Sequence, residues 1–408
     1  MDAPGAQRVI ESLRKGIPPD GHVRQFTVGR KSEIEQLESC LRTGDPSALL
    51  LKANYGSGKT HLLRFVRESA LEEGSAVSYI TLDARSAVRF NRMDQIFGAV
   101  IRNIELPGYS GKGPSALFSA VLHAMTSPCP DAKRRARLAE LSSVGRWDYS
   151  KALKSPALFV GLRAWIICAK HREFTNLIPI PREVEAWLCE PWNYYTQTKW
   201  LYERFVRGLR IYFRDPRADW QFYKRGVDTF ILRSSDYQQA WDALADLDLL
   251  VKLTGLRGLV LLVDEFEDVI YNLRAGRVDA QIAAFWNLFR LFDGDFPGFS
   301  FYAVTPDFVE KCKELLLGKD YWDYDYSRFD ALPTFAMSPL REEELEQLAE
   351  RILEAHGIAY GWAPGRALGP SQLSALVREA ASVRLEDRSR YTIREVVKAL
   401  DACLEESA

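Results

Sequence analysis

Two pairs of residues in this chain have the types and spacing that chemistry on a phosphate requires: Lys59-Thr60, just behind Gly56 and Gly58, and Asp264-Glu265, at the end of an aliphatic run. The first pair lies in "LLLKANYGSGKTHLLRF", Leu49 to Phe65. In a phosphate-binding loop, backbone N–H groups converge on the β-phosphate and the helix N-terminus adds positive potential. Lysine then reaches the β- and γ-phosphates, and the threonine hydroxyl binds magnesium. Asn54, Tyr55, Gly56, Ser57, Gly58, Lys59, Thr60 and His61 are therefore candidates for holding a nucleotide. The pattern calls for glycine at its first position, where this chain has Ala53; alanine fits there if its φ is negative. Asp264 is the candidate to complete the magnesium site through water, and Glu265 to polarise an attacking water. Glu267 and Asp268 read as charges at the N-terminus of the following helix rather than as catalysts.

Such residues work only if strands and helices hold them. "PSALLLKA", Pro46 to Ala53, is a continuous apolar run suited to a parallel strand covered on both faces. In "THLLRFVRESALEEG" Leu62, Phe65, Val66 and Ala70 share one helical face before Gly74. "AVSYITLD", Ala76 to Asp83, follows as a second strand, making a strand, helix, strand unit. "GLVLLVDEFEDV", Gly258 to Val269, supplies the strand that ends in carboxylates, and "GFSFYAVTPDF", Gly298 to Phe308, another buried strand. A last strand is expected in "ALPTFAMSPL", Ala331 to Leu340. It leads into the helix "REEELEQLAERILEAHG", which has acidic residues in its first turn and Gly357 as its stop. "SQLSALVREAAS" and "YTIREVVKALDACLEE" complete a small helical lid. The fold class is α/β, a parallel sheet flanked by helices of the P-loop type.

Bulk properties exclude several other classes. The chain has 408 residues and a formal net charge of -1, so overall charge points to no partner. Residues 1–25 lack the apolar core of a signal peptide, and no long uncharged apolar stretch occurs, so a soluble cytoplasmic protein without a membrane partner is expected. The six cysteines and five histidines are dispersed, which indicates neither a disulfide framework nor a zinc site.

The gap between Asp83 and the Asp264 strand is far longer than one crossover helix needs. We therefore expect the organisation 1–106, first part of the nucleotide-binding domain; 107–250, a mainly helical insertion; 251–340, the remainder of that domain; and 341–408, the lid. The insertion is rich in aromatics, with seven of the ten tryptophans between Trp147 and Trp241. From Asp131 to Arg233 there are 20 Lys+Arg against 11 Asp+Glu, an excess of 9 positive charges. In "KWLYERFVRGLRIYFRDPR" Leu201, Phe205, Leu209 and Tyr212 fall on one side of a helix, and Arg204, Arg207, Arg210 and Arg214 on the other. Those arginines suit phosphate backbones, and a second basic cluster is "KRRAR", Lys133 to Arg137. A solvated face serves equally well as an explanation of both.

The ordered set "VIESLRKGIPP", "FTVGRKSEIEQLESCL", "NYGSGKTHLLRFV", "AVSYITLD", "LVLLVDEFEDV" and "YTIREVVKALD" resembles AAA+ ATPases, and more narrowly the ATP-binding proteins of BREX-type phage-exclusion loci. The likeness covers both ends of the chain and leaves about 107 to 250 unmatched. It implies ATP and Mg2+ as cofactors and an ATPase that assembles as a homo-oligomer. It further implies work with DNA and a partner helicase or nuclease in anti-phage defence. Val28, Gly29 and Arg30 resemble the adenine-side loop of that family, and Thr305 stands where a γ-phosphate-sensing residue is kept. Arg394 matches the lid arginine that touches the γ-phosphate, with Arg390 as its substitute. Arg328 lies where an arginine reaching a neighbouring subunit's site is found, and a solvated surface arginine is the other reading of it. The alternative function is a nucleotide-gated interaction switch with little turnover.

Overall fold

The computed structural model describes all residues except 44–46, 84–87, 144–151, 156–157, 160, 163–164, 167–180, 190–236, 270–277, 319–324, 383–387 and 408. The first half runs α1 (Ala3–Arg14), α2 (Lys31–Thr43), β1 (Ser47–Lys52), α3 (Lys59–Glu72), β2 (Ala76–Thr81), α4 (Met93–Arg102) and β3 (Ile104–Glu105). Helices α5 (Pro114–Thr126), α6 (Ala132–Ser143), α7 (Pro181–Cys189) and α8 (Tyr237–Leu253) follow. Then come β4 (Leu259–Asp264), α9 (Val278–Phe292), β5 (Phe299–Val304), α10 (Phe308–Leu317), the single turn α11 (Ser327–Asp330) and β6 (Thr334–Ala336). The chain closes with α12 (Glu342–Tyr360), α13 (Pro364–Ala367), α14 (Pro370–Ala381) and α15 (Arg388–Ser407).

Six strands form one sheet in the order β3-β2-β4-β5-β1-β6, parallel throughout except for the β2–β3 pair. The central strands are the continuous apolar runs of the sequence, and every residue of β4 and β5 is buried. Their side chains alternate between two cores, as a period of two requires. Leu261, Val263, Tyr302 and Val304 join the cluster that contains α4, α8, α9 and α10. Val260, Leu262, Phe301 and Ala303 join the cluster under α2 and α3. Truncating one such fully buried side chain, Leu51, to alanine would cost about 2–5 kcal/mol. The ends of the segment 107–250 are not separate from this body, because Leu117, Phe118, Trp241 and Leu244 of α5 and α8 sit in the first cluster.

The strand, helix, strand unit β1–α3–β2 is present, with β5 and β4 lying between its two strands in the sheet. Two expectations change in detail. The last strand shrinks to Thr334–Ala336, paired with β1 alone. Helix α12 does not stop at Gly357 but continues to Tyr360 and ends at Gly361, whose φ of 66° makes the left-handed turn that closes it.

A third cluster joins α1 to the C-terminal helices α12, α14 and α15: Val9, Ile10 and Leu13 pack with Leu345, Ile352, Val377, Val396 and Leu400. Polar contacts pin the same junction. Arg14 Nη2 pairs with Asp401 at 2.5 Å, Asp401 also meets His356 Nε2 at 3.0 Å, and Trp362 Nε1 donates to His356 Nδ1 at 2.9 Å. The N-terminal helix is thereby packed on α12 and α15 rather than on the sheet.

Candidate functional site

The loop after β1 reaches α3 through Asn54 to Gly58, and Gly56 and Gly58 have φ of 79° and 95°, left-handed values that a side chain would strain. Among the described residues Glu265 is the one non-glycine with positive φ, so Ala53 has the negative φ that its methyl group needs. Lys59 opens α3 and is 8% exposed. Its Nζ donates to the Ala53 carbonyl at 3.0 Å, lies 3.3 Å from Glu267 Oε1, and sits 4.7 Å from the centre of the Tyr55 ring.

Asp264 and Glu265 arrive from the end of β4. Asp264 is buried, with Oδ2 accepting from the Tyr79 hydroxyl at 2.6 Å and Oδ1 accepting from the Glu265 N–H at 3.0 Å. Burial, and then the nearby Asp264, holds the Tyr79 phenol above its ordinary range, so it stays a donor. Glu265 is exposed with φ 54°. Partial desolvation raises its carboxyl above the usual range, and Asp264, Asp268, Asp83 and Glu267 add to the effect. Glu267 lies in a short turn, Phe266–Asp268, and is 4% exposed. Burial pushes its carboxyl up while Lys59 pulls it down. Its burial against Lys59 goes beyond the role of a helix N-terminal charge that its position in the sequence suggests.

One cleft of about 550 Å3 brings these groups together. Asn54, Tyr55, Gly56, Ser57, Gly58, Lys59, Thr60 and His61 line it, with Asp264, Glu265 and Glu267. Leu13 to Pro18 and Val28 close another side, and Arg390 and Arg394 line the α15 side. Arg394 is exposed, pairs with Glu395 at 2.9 Å, and lies 4.5 Å from the Tyr391 ring. Helix α15 touches the loop, since Ser389 Oγ donates to the Gly56 carbonyl at 3.1 Å.

Arg30 also lines the cleft but acts on the loop itself. Its buried guanidinium donates to the Ser57 carbonyl at 2.9 Å and to the Ser338 carbonyl at 3.1 Å. Gly29 beside it is where a β-carbon would come within 2.2 Å of Glu344 Cδ. His61 Nε2 meets Thr27 Oγ1 at 2.8 Å, and burial together with Arg30 and Arg64 pushes its pKa down to about 4, so it is neutral near pH 7.

Two expected residues do not line the cleft, although Thr305 directly follows Val304, whose carbonyl accepts from the Ala53 N–H at 3.1 Å. Thr305, just after β5, donates to Asp307 Oδ1 at 2.6 Å and is not among the residues lining the cleft. Arg328 pairs with Asp293 at 2.7 Å, lies 4.2 Å from the Phe289 ring, and is likewise outside the lining. Arg204, Arg207, Arg210 and Arg214 fall outside the described residues. The Lys133–Arg137 cluster lies on α6, where Arg134 contacts Cys129 Sγ and Arg137 pairs with Glu140. Glu267, Tyr79 and Ser389 are the contributors that sequence reasoning missed; each meets its partner only through the fold.

A mixed α/β body with a mostly parallel six-stranded sheet flanked by helices, and a glycine loop at the strand-to-helix turn, is consistent with a P-loop fold. Residues 3–122 match the family described as BREX system ATP-binding protein BrxC/D. The match runs from α1 through the glycine loop into α5 and stops well before β4 and the C-terminal helices. No curated protein and no solved structure matches the chain. No helix among the described residues is long and apolar enough to cross a membrane.

Proposed function

We propose that the chain binds ATP with Mg2+ in this cleft and hydrolyses it, as a cytoplasmic, self-assembling AAA+-like ATPase of anti-phage defence that works with DNA and a partner helicase or nuclease. The observation that carries the reading is the convergence of Lys59, Thr60, Asp264 and Glu265, from two distant stretches of sequence, on one cleft. The donors suit the metal, because a hydroxyl and a carboxylate are the hard oxygen ligands that magnesium prefers. Thr60 would hold it directly and Asp264 through water, and when bound it neutralises charge on the β- and γ-phosphates. Lys59 would contact those same phosphates. Glu265, with a carboxyl raised toward working pH, suits the base that orients and deprotonates water. Arg394 and Arg390 would meet the γ-phosphate when the lid settles, Val28 would pack beside the base, and Arg30 would hold the loop in shape. Thr305 would sense the γ-phosphate from its place beyond β5, and Arg204, Arg207, Arg210 and Arg214 would meet nucleic acid.

A second reading, a nucleotide-gated interaction switch that turns over slowly, is favoured by one observation. Arg328, the arginine expected to reach a neighbouring subunit, is held in its own chain by Asp293. Steady-state ATP hydrolysis across a protein concentration series, with and without single- and double-stranded DNA, separates the two. Turnover per subunit that rises with concentration and again with DNA supports the assembling ATPase. Tight ATP binding with turnover near zero at every concentration favours the switch.

A further inference from the structure

Glu267 has no part in the reaction assigned above, yet it faces the central cation of the cleft. Its turn is fixed by Phe266, whose ring lies 4.9 Å from both Phe90 and Tyr302 and 5.5 Å from Phe308. So anchored, the turn places Glu267 Oε1 3.3 Å from Lys59 Nζ, with both side chains buried. Neither carboxylate oxygen of Glu267 has a hydrogen-bond partner among the described residues. A buried carboxylate is costly, and here the ammonium of Lys59 is the largest influence that offsets the cost, ahead of the Glu267 backbone N–H. An incoming β- or γ-phosphate needs that same ammonium and would put a second anion beside Glu267.

We propose that Glu267 is the internal counter-anion of Lys59, which the β- and γ-phosphates of a nucleotide must displace, so that this side chain holds nucleotide affinity down and acts as a positioning residue for Lys59. The inference rests on the ATP-site reading. In the empty protein the pair keeps the lysine in place and the cleft free of stray anions. In the occupied protein Lys59 turns to the phosphates, and Glu267 is left as a like charge that favours departure of the anion. The effect is confined to ligands whose phosphates reach Lys59.

The test compares equilibrium binding of ATP, ADP and AMP by wild type and Glu267→Gln, with Mg2+ present. ATP and ADP are expected to bind the variant about tenfold or more tightly, the scale of one hydrogen bond to a charged group, with AMP affinity unchanged. A wild type that binds ATP beside a variant that binds it no tighter overturns this inference alone. Absence of ATP binding in both proteins overturns the ATP-site reading and this inference together. Because the variant leaves Lys59 buried without its anion, a nucleotide-free double-mutant cycle of Lys59→Met and Glu267→Gln, read by denaturant midpoint, accompanies it. A double variant less destabilised than the sum of the single ones is expected, and strict additivity overturns the pair.

Discussion

The sheet wall and the α15 wall of the cleft differ in how far they are assembled before any ligand arrives. On the sheet wall Lys59, Asp264 and Arg30 are buried, and each already has its partners: Ala53 and Glu267, Tyr79 and the Glu265 N–H, and the Ser57 and Ser338 carbonyls. On the α15 wall Arg390 and Arg394 are exposed, and among the described residues Arg394 is engaged with its neighbours Glu395 and Tyr391. Buried groups already held in place incur no further ordering cost, although Lys59 must first give up Glu267 to a phosphate. Exposed arginines incur that cost when a phosphate draws them in. On the proposed function, the sheet wall would set whether a phosphate binds, and the α15 wall how firmly it is then enclosed.

The largest break in this comparison is expected from Lys59→Ala. It removes the lysine of the sheet wall and leaves Glu267 buried and unpaired, so ATP affinity should fall by about 100-fold or more in a titration. Glu265→Gln should keep ATP binding and lower turnover by on the order of 100-fold, which single-turnover hydrolysis would measure. On the other wall, Arg394→Ala should weaken ATP by about tenfold and leave the thermal midpoint unchanged, because its exposed pair with Glu395 contributes little to folding. Equal losses of stability at Arg394 and Lys59 would erase the distinction between the walls. Tyr79→Phe should raise the Mg2+ concentration needed for half-maximal turnover by about threefold to tenfold, since Asp264 loses one donor of about 1 kcal/mol.

A control lies away from both walls. Asp246 of α8 accepts from the Ser155 N–H at 2.6 Å, and burial raises its pKa to about 7. The folded state holds this proton more tightly than the unfolded chain, so its contribution to stability is full at low pH and is lost as pH rises through about 7. Thermal midpoints from pH 5 to 8 should therefore fall less in Asp246→Asn than in wild type, with ATP affinity the same in both.

Much of the sheet wall was legible because its signals are local. The glycines, Lys59 and Thr60 lie within a few residues, and the aliphatic run before Asp264 reads as a buried strand by composition alone. The C-terminal helices were legible from their periodicity, although Gly357 looked like a stop and the helix passed through it to Gly361. The parts that stayed hidden depend on long-range packing. Tyr79 meets Asp264 across 185 residues and Ser389 meets Gly56 across 333. Nothing near Glu267 in the sequence distinguishes it from Asp268, yet Phe266 turns the first into the cleft. The packing of α1 on the C-terminal helices was equally invisible, because its apolar face says only that it is buried and not against what.

The central claim is that Lys59 and the acidic end of β4 form one ATP site. Calorimetric titration of ATP with Mg2+ into wild type and Lys59→Ala tests it most directly, at a temperature below the single cooperative unfolding transition of each, so that both proteins are folded. Saturable binding near one ATP per chain in wild type, lost in the variant, is the expected result. Equal ATP affinity in the two proteins would contradict the account.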